Sequence, residues 1–173
     1  MADPRCTGPP ARPLIGEPRR LDLSDPGTLR GVRDLQRASY AVEAELIGFD
    51  GIPPLHESLQ ELRDCRESFL GVDDETGLAG AVSWARLLDG TLDICRLMVH
   101  PRAHRRGIAT ALLDGLDRAE PARRVVVSTG TANHPALALY RRRGFTPVGT
   151  RWIAPAVSIT ILERRERRPA LPA

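Results

Sequence analysis

Apolar positions along the chain fall into alternating stretches of helical and strand periodicity. After a short strand candidate at 20–23, Ser24-Asp25-Pro26 places an acidic N-cap ahead of a proline at the first helical position. Leu29, Val32, Leu35 and Ala38 then recur at helical spacing, predicting an amphipathic helix that 48–54 interrupts. A second, short helix is expected at about 55–63. Strand patterns follow at 68–72 and 80–88, around the turn Asp73-Asp74-Glu75-Thr76-Gly77. A third strand at 91–99, after Asp89-Gly90, completes an antiparallel meander.

The second half changes character. Residues 108–120 read as a helix with Ile108, Leu112, Leu113 and Leu116 on one face, and Val125-Val126-Val127 reads as a strand covered on both sides. Asn133-His134-Pro135 opens another helix that Gly144 ends. Strands at 145–148 and 152–162 close the pattern, with Val157, Ile159 and Ile161 alternating with Ser158 and Thr160 as one buried face requires. The strand–helix–strand passage from 93 to 127 predicts a parallel pair joined by a right-handed crossover. The expectation is an α/β fold: a mixed, mostly antiparallel central sheet of about seven strands flanked by about four helices, with one parallel strand pair.

Length and composition narrow the classes. The 173 residues, 42% hydrophobic and 27% charged, fit one globular domain at 18–163. Residues 1–17, rich in proline, arginine and glycine, read as a disordered arm, and 164–173 as a basic, proline-containing tail. A net charge of +3, carried by arginine without a single lysine, is too mild to imply nucleic-acid binding, and aromatics at 4% leave no stacking platform for single strands. Cys6, Cys65 and Cys95 form no Cys-x-x-Cys pair, so neither a metal site nor a disulfide framework is expected. Cys95 reads as a small core residue. No signal-peptide core and no run approaching the ~20 apolar residues of a membrane span is visible, so the expectation is a cytoplasmic protein without membrane contact.

The chemistry concentrates where Leu97, Met98 and Val99 end a strand and Pro101 stops it. His104-Arg105-Arg106-Gly107-Ile108-Ala109 then runs directly into the next helix. The first N–H groups of a helix lack intrahelical partners and carry the positive end of its dipole, so such a turn can hold phosphate. Gly107 and Ala109 leave the backbone approachable, and the arginines add charge or are surface residues of a turn.

With Asn133 and the run Leu139-Tyr140-Arg141-Arg142-Arg143-Gly144-Phe145, this turn resembles the GNAT superfamily of N-acetyltransferases. The likeness covers the order of elements from about 19 to 162. One position departs from the family pattern: His104 stands where a Gln or Arg is usual, and Arg102, Arg105 or Arg106 could supply the missing charge.

The resemblance implies acetyl-CoA as co-substrate and no metal. The backbone at Leu97, Met98 and Val99 would face the pantetheine arm, and His104, Arg105, Arg106, Gly107, Ile108 and Ala109 would hold the pyrophosphate. Asn133 would touch the coenzyme or cap its helix. Tyr140, two turns further along that helix, would protonate the departing thiolate, or else anchor the helix. Glu43, Glu45, His56 and Glu57 are candidates for the general base or are solvated side chains, and an ordered water could serve instead. A backbone N–H near Val99 could meet the oxyanion. The function implied is acetyl transfer to a primary amine, on a small molecule or a peptide or protein, by direct attack in a ternary complex; a homodimer is a family-level expectation. The alternative is a non-catalytic acyl-CoA sensor.

Overall fold

The computed structural model describes residues 16–166, so most of the expected N-terminal arm and C-terminal tail lies outside the described residues. One sheet holds β1 (Arg19–Arg20), β2 (Ser68–Asp74), β3 (Gly77–Arg86), β4 (Leu92–Val99), β5 (Arg124–Gly130), β6 (Thr146–Ala154) and β7 (Val157–Arg165). Their order is β1-β2-β3-β4-β5-β7-β6, and every neighbouring pair is antiparallel except β4 and β5. The helices are α1 (Pro26–Ile47), α2 (Pro53–His56), α3 (Leu59–Asp64), α4 (Ile108–Ala119) and α5 (His134–Arg142). The mixed sheet with its single parallel pair is the fold the sequence pattern predicts.

Local chemistry explains the boundaries. Asp25 Oδ2 accepts from the Thr28 N–H at 2.7 Å to start α1, and Gly48 ends it in a left-handed conformation at φ +65. The helix expected at 55–63 is instead two pieces. Ser58 and Glu61 form a reciprocal capping box that begins α3, and residue 57 is extended.

Two apolar layers sandwich the sheet. On one face Leu29, Val32 and Leu35 of α1 and Leu62 of α3 pack on Phe69, Ala81 and Met98. On the other, Ile108, Leu112 and Leu116 of α4 and Leu137 of α5 pack on Val82, Ile94, Val127 and Leu162. Each such aliphatic side chain contributes roughly 1.5–3 kcal/mol on burial. At Gly80 of β3 an added Cβ would lie 2.5 Å from Ile108 Cγ2, so its bare backbone lets the start of α4 sit tight on the sheet.

The final hairpin corrects the expected strands. It turns at Pro155-Ala156, so Trp152 belongs to β6, where it is 69% exposed, and does not open the last strand. In β7 the buried phase is Thr160 and Leu162, whereas Ile159 and Ile161 are only half-buried. The strand continues to Arg165: Arg164 pairs with Val125, Arg165 with Arg124, and Arg164 meets Asp117 at 2.5 Å. Among the described residues no helix is long and apolar enough to cross a membrane.

Candidate active site

The parallel strands separate almost as soon as they pair. Leu92, Asp93 and Ile94 are in register with Val125, Val126 and Val127, and the pairing stops there. The next residue, Cys95, is the extra residue of a bulge between Ser83↔Arg96 and Trp84↔Ile94. Beyond it β4 and β5 border a cleft of about 1020 Å³, which the C-terminal half of α1, the start of α4 and one face of α5 also line. The bulge overturns the core placement expected for Cys95: its side chain is exposed and lines this cleft.

Strand pairing dictates which backbone groups face the opening. His100 N–H donates to the Ala79 carbonyl at 2.8 Å. By the two-residue period of an antiparallel ladder, Met98 therefore spends its N–H and C=O on β3, while Leu97 and Val99 turn theirs toward the side that β5 has left. The Met98 side chain is fully buried beneath α1 and lies outside the cleft lining. Of the three residues expected at this edge, Leu97 and Val99 line the cleft and Met98 does not.

The turn after β4 is built from left-handed backbone. Residues Pro101–Ala103 form one 3-10 turn, Arg105 has φ +60, and Gly107 at φ +86 starts α4 with no side-chain cap. Left-handed φ is easy for glycine and costly for most other residues. His104, Arg105, Gly107, Ile108 and Ala109 all line the cleft. The His104 ring lies with Nε2 3.1 Å from the Val99 carbonyl oxygen.

The arginines divide into two groups. Arg102 and Arg106 both reach Asp74 at the end of β2, at 3.1 and 2.9 Å. Burial would raise the Asp74 carboxyl, but hydrogen bonds from Thr76, Arg102 and Arg106 outweigh it and hold the group far below the usual carboxylate range. Arg106 is therefore a strut behind the turn, outside the cleft, contrary to its expected place among the ligand contacts. Arg105 pairs with no carboxylate among the described residues and faces the cleft.

Asn133 and Tyr140 share the cleft face of α5, as their spacing predicts. Asn133 caps the helix through Oδ1 to the Ala136 N–H at 3.2 Å. Tyr140 is 4% exposed and packs edge-on against Phe145, with ring centroids 5.6 Å apart. Burial, reinforced by the charge of Glu43, pushes its phenol well above the ordinary range, so the hydroxyl keeps its proton. Tyr40, on the cleft face of α1, is raised in the same way by burial and by Glu43. Glu43 accepts a long hydrogen bond, 3.4 Å, from the Thr129 hydroxyl. The structure thus gathers Glu43, Tyr40, Thr129 and Tyr140 around one stretch of the cleft.

The remaining base candidates are placed elsewhere. Glu45 is exposed and outside the cleft lining, and the His56 ring bonds the Asp50 carbonyl at 2.7 Å. Glu57 is committed to Arg96, a residue the sequence reading passed over. Arg96 is buried with its guanidinium 2.5 Å from Glu57 and 2.8 Å from Glu67, while Gln36 Oε1 accepts from it at 2.6 Å. Gln36 Nε2 also donates to the Pro54 carbonyl, so this cluster ties the segment after α1 to β4. Tyr40 could have been found, three residues before Glu43 on a helix already identified; Arg96 reads only as a charge inside an apolar run.

Comparisons with known proteins find relatives by sequence and by fold. The UPF0157 protein YqkA of Bacillus subtilis (strain 168) is 35% identical over 80% of the chain. Mycothiol acetyltransferase of Mycobacterium marinum is 34% identical over 69% of it. The chain spans only 40% and 36% of those two relatives. The crystal structure of PaiA N-acetyltransferase from Thermoplasma acidophilum in complex with coenzyme A has the same fold, with a TM-score of 0.69 at 16% identity over 88% of this chain and 99% of that one. The model of the acetyltransferase (GNAT) family matches residues 30–145, which run from α1 through the separating strands to the end of α5, and the chain belongs to that family.

Proposed function

We propose that the protein transfers an acetyl group from acetyl-CoA to a primary amine by direct attack within a ternary complex. The observation that carries this reading is the separation of β4 from β5 after Ile94, which leaves a free strand edge between the uncapped start of α4 and the Tyr140 hydroxyl.

The residues present fit the coenzyme. The first N–H groups of α4 and the cleft-facing Arg105 would hold its pyrophosphate, with Gly107 keeping the approach open. The N–H groups of Leu97 and Val99 and the Leu97 C=O would pair with the amides of the pantetheine arm as an added strand does, while the Val99 C=O faces the His104 ring. Acetyl-CoA supplies an activated acyl group, with its carbonyl carbon open to attack.

Glu43 takes a proton from the incoming ammonium so that nitrogen presents a lone pair. As the N–C bond forms and the C–S bond breaks, a β4 backbone N–H meets the charge building on the carbonyl oxygen. Tyr140 gives its phenolic proton to the departing sulfur; the second proton, which the nitrogen sheds as it becomes an amide, passes to solvent, from which Tyr140 regains one. A phenol held above its usual range is a proton donor in this scheme and does not act as the base.

The test is amine-dependent thiol release from acetyl-CoA, with Tyr140→Phe alongside. Loss of a general acid should lower kcat by about 10²–10³-fold, with coenzyme affinity within about twofold of wild type. Unchanged kcat in Tyr140→Phe from pH 6 to 9 would remove the assignment. Tight coenzyme binding with no thiol released to any amine would instead favour an acyl-CoA sensor.

A further inference from the structure

Glu43 is the one carboxylate lining the cleft among the described residues, and apolar side chains continue from it toward the sheet edge. Leu46 and Ile47 follow it by three and four positions on α1, so the three share a helix face. Ile47 lies over the end of β5, its Cγ2 2.6 Å from where a Cβ on Gly130 would stand. Gly130 is in register with Ile159 of β7, and Ile159 with Arg151 of β6. Ile153, the extra residue of a bulge in β6 just beyond Arg151, also lines the cleft. These contacts trace a continuous apolar track from a carboxylate beside Tyr140 to a cation at the rim. Leu46 is 48% exposed and Ile153 41%, so the track is open to a ligand. Arg151 makes no ion pair among the described residues, and Arg96 is neutralised by Glu57 and Glu67.

We infer that the acceptor is a primary amine carrying a single positive charge on an apolar, alkyl or arylalkyl body, and that polycationic amines are rejected. The inference rests on the transfer reading and deepens it. The ammonium meets Glu43, the one carboxylate lining the cleft among the described residues, where its proton can also leave. The body lies along Leu46, Ile47 and Ile159, exchanging water for apolar contact. A second ammonium several bonds away would fall among isoleucines or against Arg151, losing solvation with no anion to meet it.

The experiment compares 2-phenylethylamine with spermidine as acceptors for wild type, Arg151→Glu and Glu43→Gln. It also measures 2-phenylethylamine binding to the coenzyme A-loaded protein by calorimetry. The expected kcat/KM ratio favours 2-phenylethylamine by about tenfold or more, and Arg151→Glu should narrow it by about tenfold by offering the second ammonium a partner. Spermidine equalling 2-phenylethylamine, or an unchanged ratio in the exposed Arg151→Glu variant, overturns the inference. Calorimetry separates it from the reading beneath it. Binding of 2-phenylethylamine to loaded protein that weakens about tenfold in Glu43→Gln supports the inference even with no thiol released, and then only the transfer reading falls. Loaded protein that acetylates other amines but does not bind 2-phenylethylamine overturns the inference alone. Failure to bind coenzyme A overturns both.

Discussion

Arg106 reaches back 2.9 Å to Asp74, joining the turn before α4 to the far end of β2. Arg102 meets the other oxygen of the same carboxylate at 3.1 Å, so one buried group braces both flanks of the turn and leaves Arg105 facing the cleft. The basic run is thus divided by a single acid: two arginines hold the loop and one is available to a ligand.

Asp74→Asn should therefore loosen the turn and lower stability together. Losing both ion pairs is expected to cost about 1–3 kcal/mol and to raise KM for acetyl-CoA more than it lowers kcat. The pH dependence has a definite sign. The folded carboxyl is held below its unfolded value, near 3.9, so its stabilisation is complete above that pH and is lost as pH falls toward the folded value. Thermal unfolding of wild type and Asp74→Asn should differ fully at pH 7, with the gap starting to narrow below about pH 4 and closing only as pH falls toward the folded value. A gap that persists unchanged at pH 3 would mean that the carboxylate's charge is not what braces the loop.

Gly107 tests the ligand side of the same turn. At φ +86 it sits where a β-branched residue is strongly disfavoured. Gly107→Val should raise KM for acetyl-CoA about tenfold or more while costing about 1–2 kcal/mol of stability. Unaltered coenzyme affinity in a folded Gly107→Val protein would place the pyrophosphate elsewhere.

How much of this could be read from the chain follows from which signals are local. Caps, turns and helix spacing are local, so α1, α4 and α5 and the shared face of Asn133 and Tyr140 were legible. The β4 bulge is not, because one extra residue at Cys95 shifts the side-chain alternation only in the context of β3. The β7 phase is hidden from the sequence for a related reason. That strand is core on one side at Leu162 and cleft wall on the other at Ile159, so its apolar residues do not mark a single buried face. Arg102, Arg105 and Arg106 look alike in sequence, and only a partner on a distant strand separates their roles. Arg96 escaped notice because its neutralising partners, Glu57 and Glu67, come from segments that only the fold brings together.

Arg96 also yields a stability prediction. Burial alone would lower its pKa, but hydrogen bonds from its guanidinium to Glu57 and Glu67 outweigh this and hold it charged. Arg96→Met leaves those carboxylates without their counter-ion, at an expected loss of about 3–5 kcal/mol. For a chain of this size that is a drop in Tm of roughly 6–20 °C by scanning calorimetry. Adding Glu67→Gln should recover part of the loss, because it removes one stranded charge. A double variant no more stable than Arg96→Met would show that the cost is packing against Phe69, 5.9 Å from the guanidinium, and not charge.

Cys95 tests whether the acetyl group passes through the protein. The thiol lines the cleft near the proposed reaction centre, where a covalent acyl intermediate would need a thiolate. Although the side chain opens on the cleft, desolvation by the cleft walls first, then the charges of Glu67 and Asp93, push its pKa up to about 12. A thiol so placed is less deprotonated at pH 8 than an ordinary cysteine. Its Sγ–H instead points to the Asp93 carbonyl at 3.5 Å. Iodoacetamide at pH 8 should label Cys95 far more slowly than a free thiol, and Cys95→Ala should keep kcat within about twofold, since direct attack asks nothing of it. An acetyl adduct on Cys95 by mass spectrometry after quenching, together with lost turnover in Cys95→Ala, would replace direct attack by a two-step route.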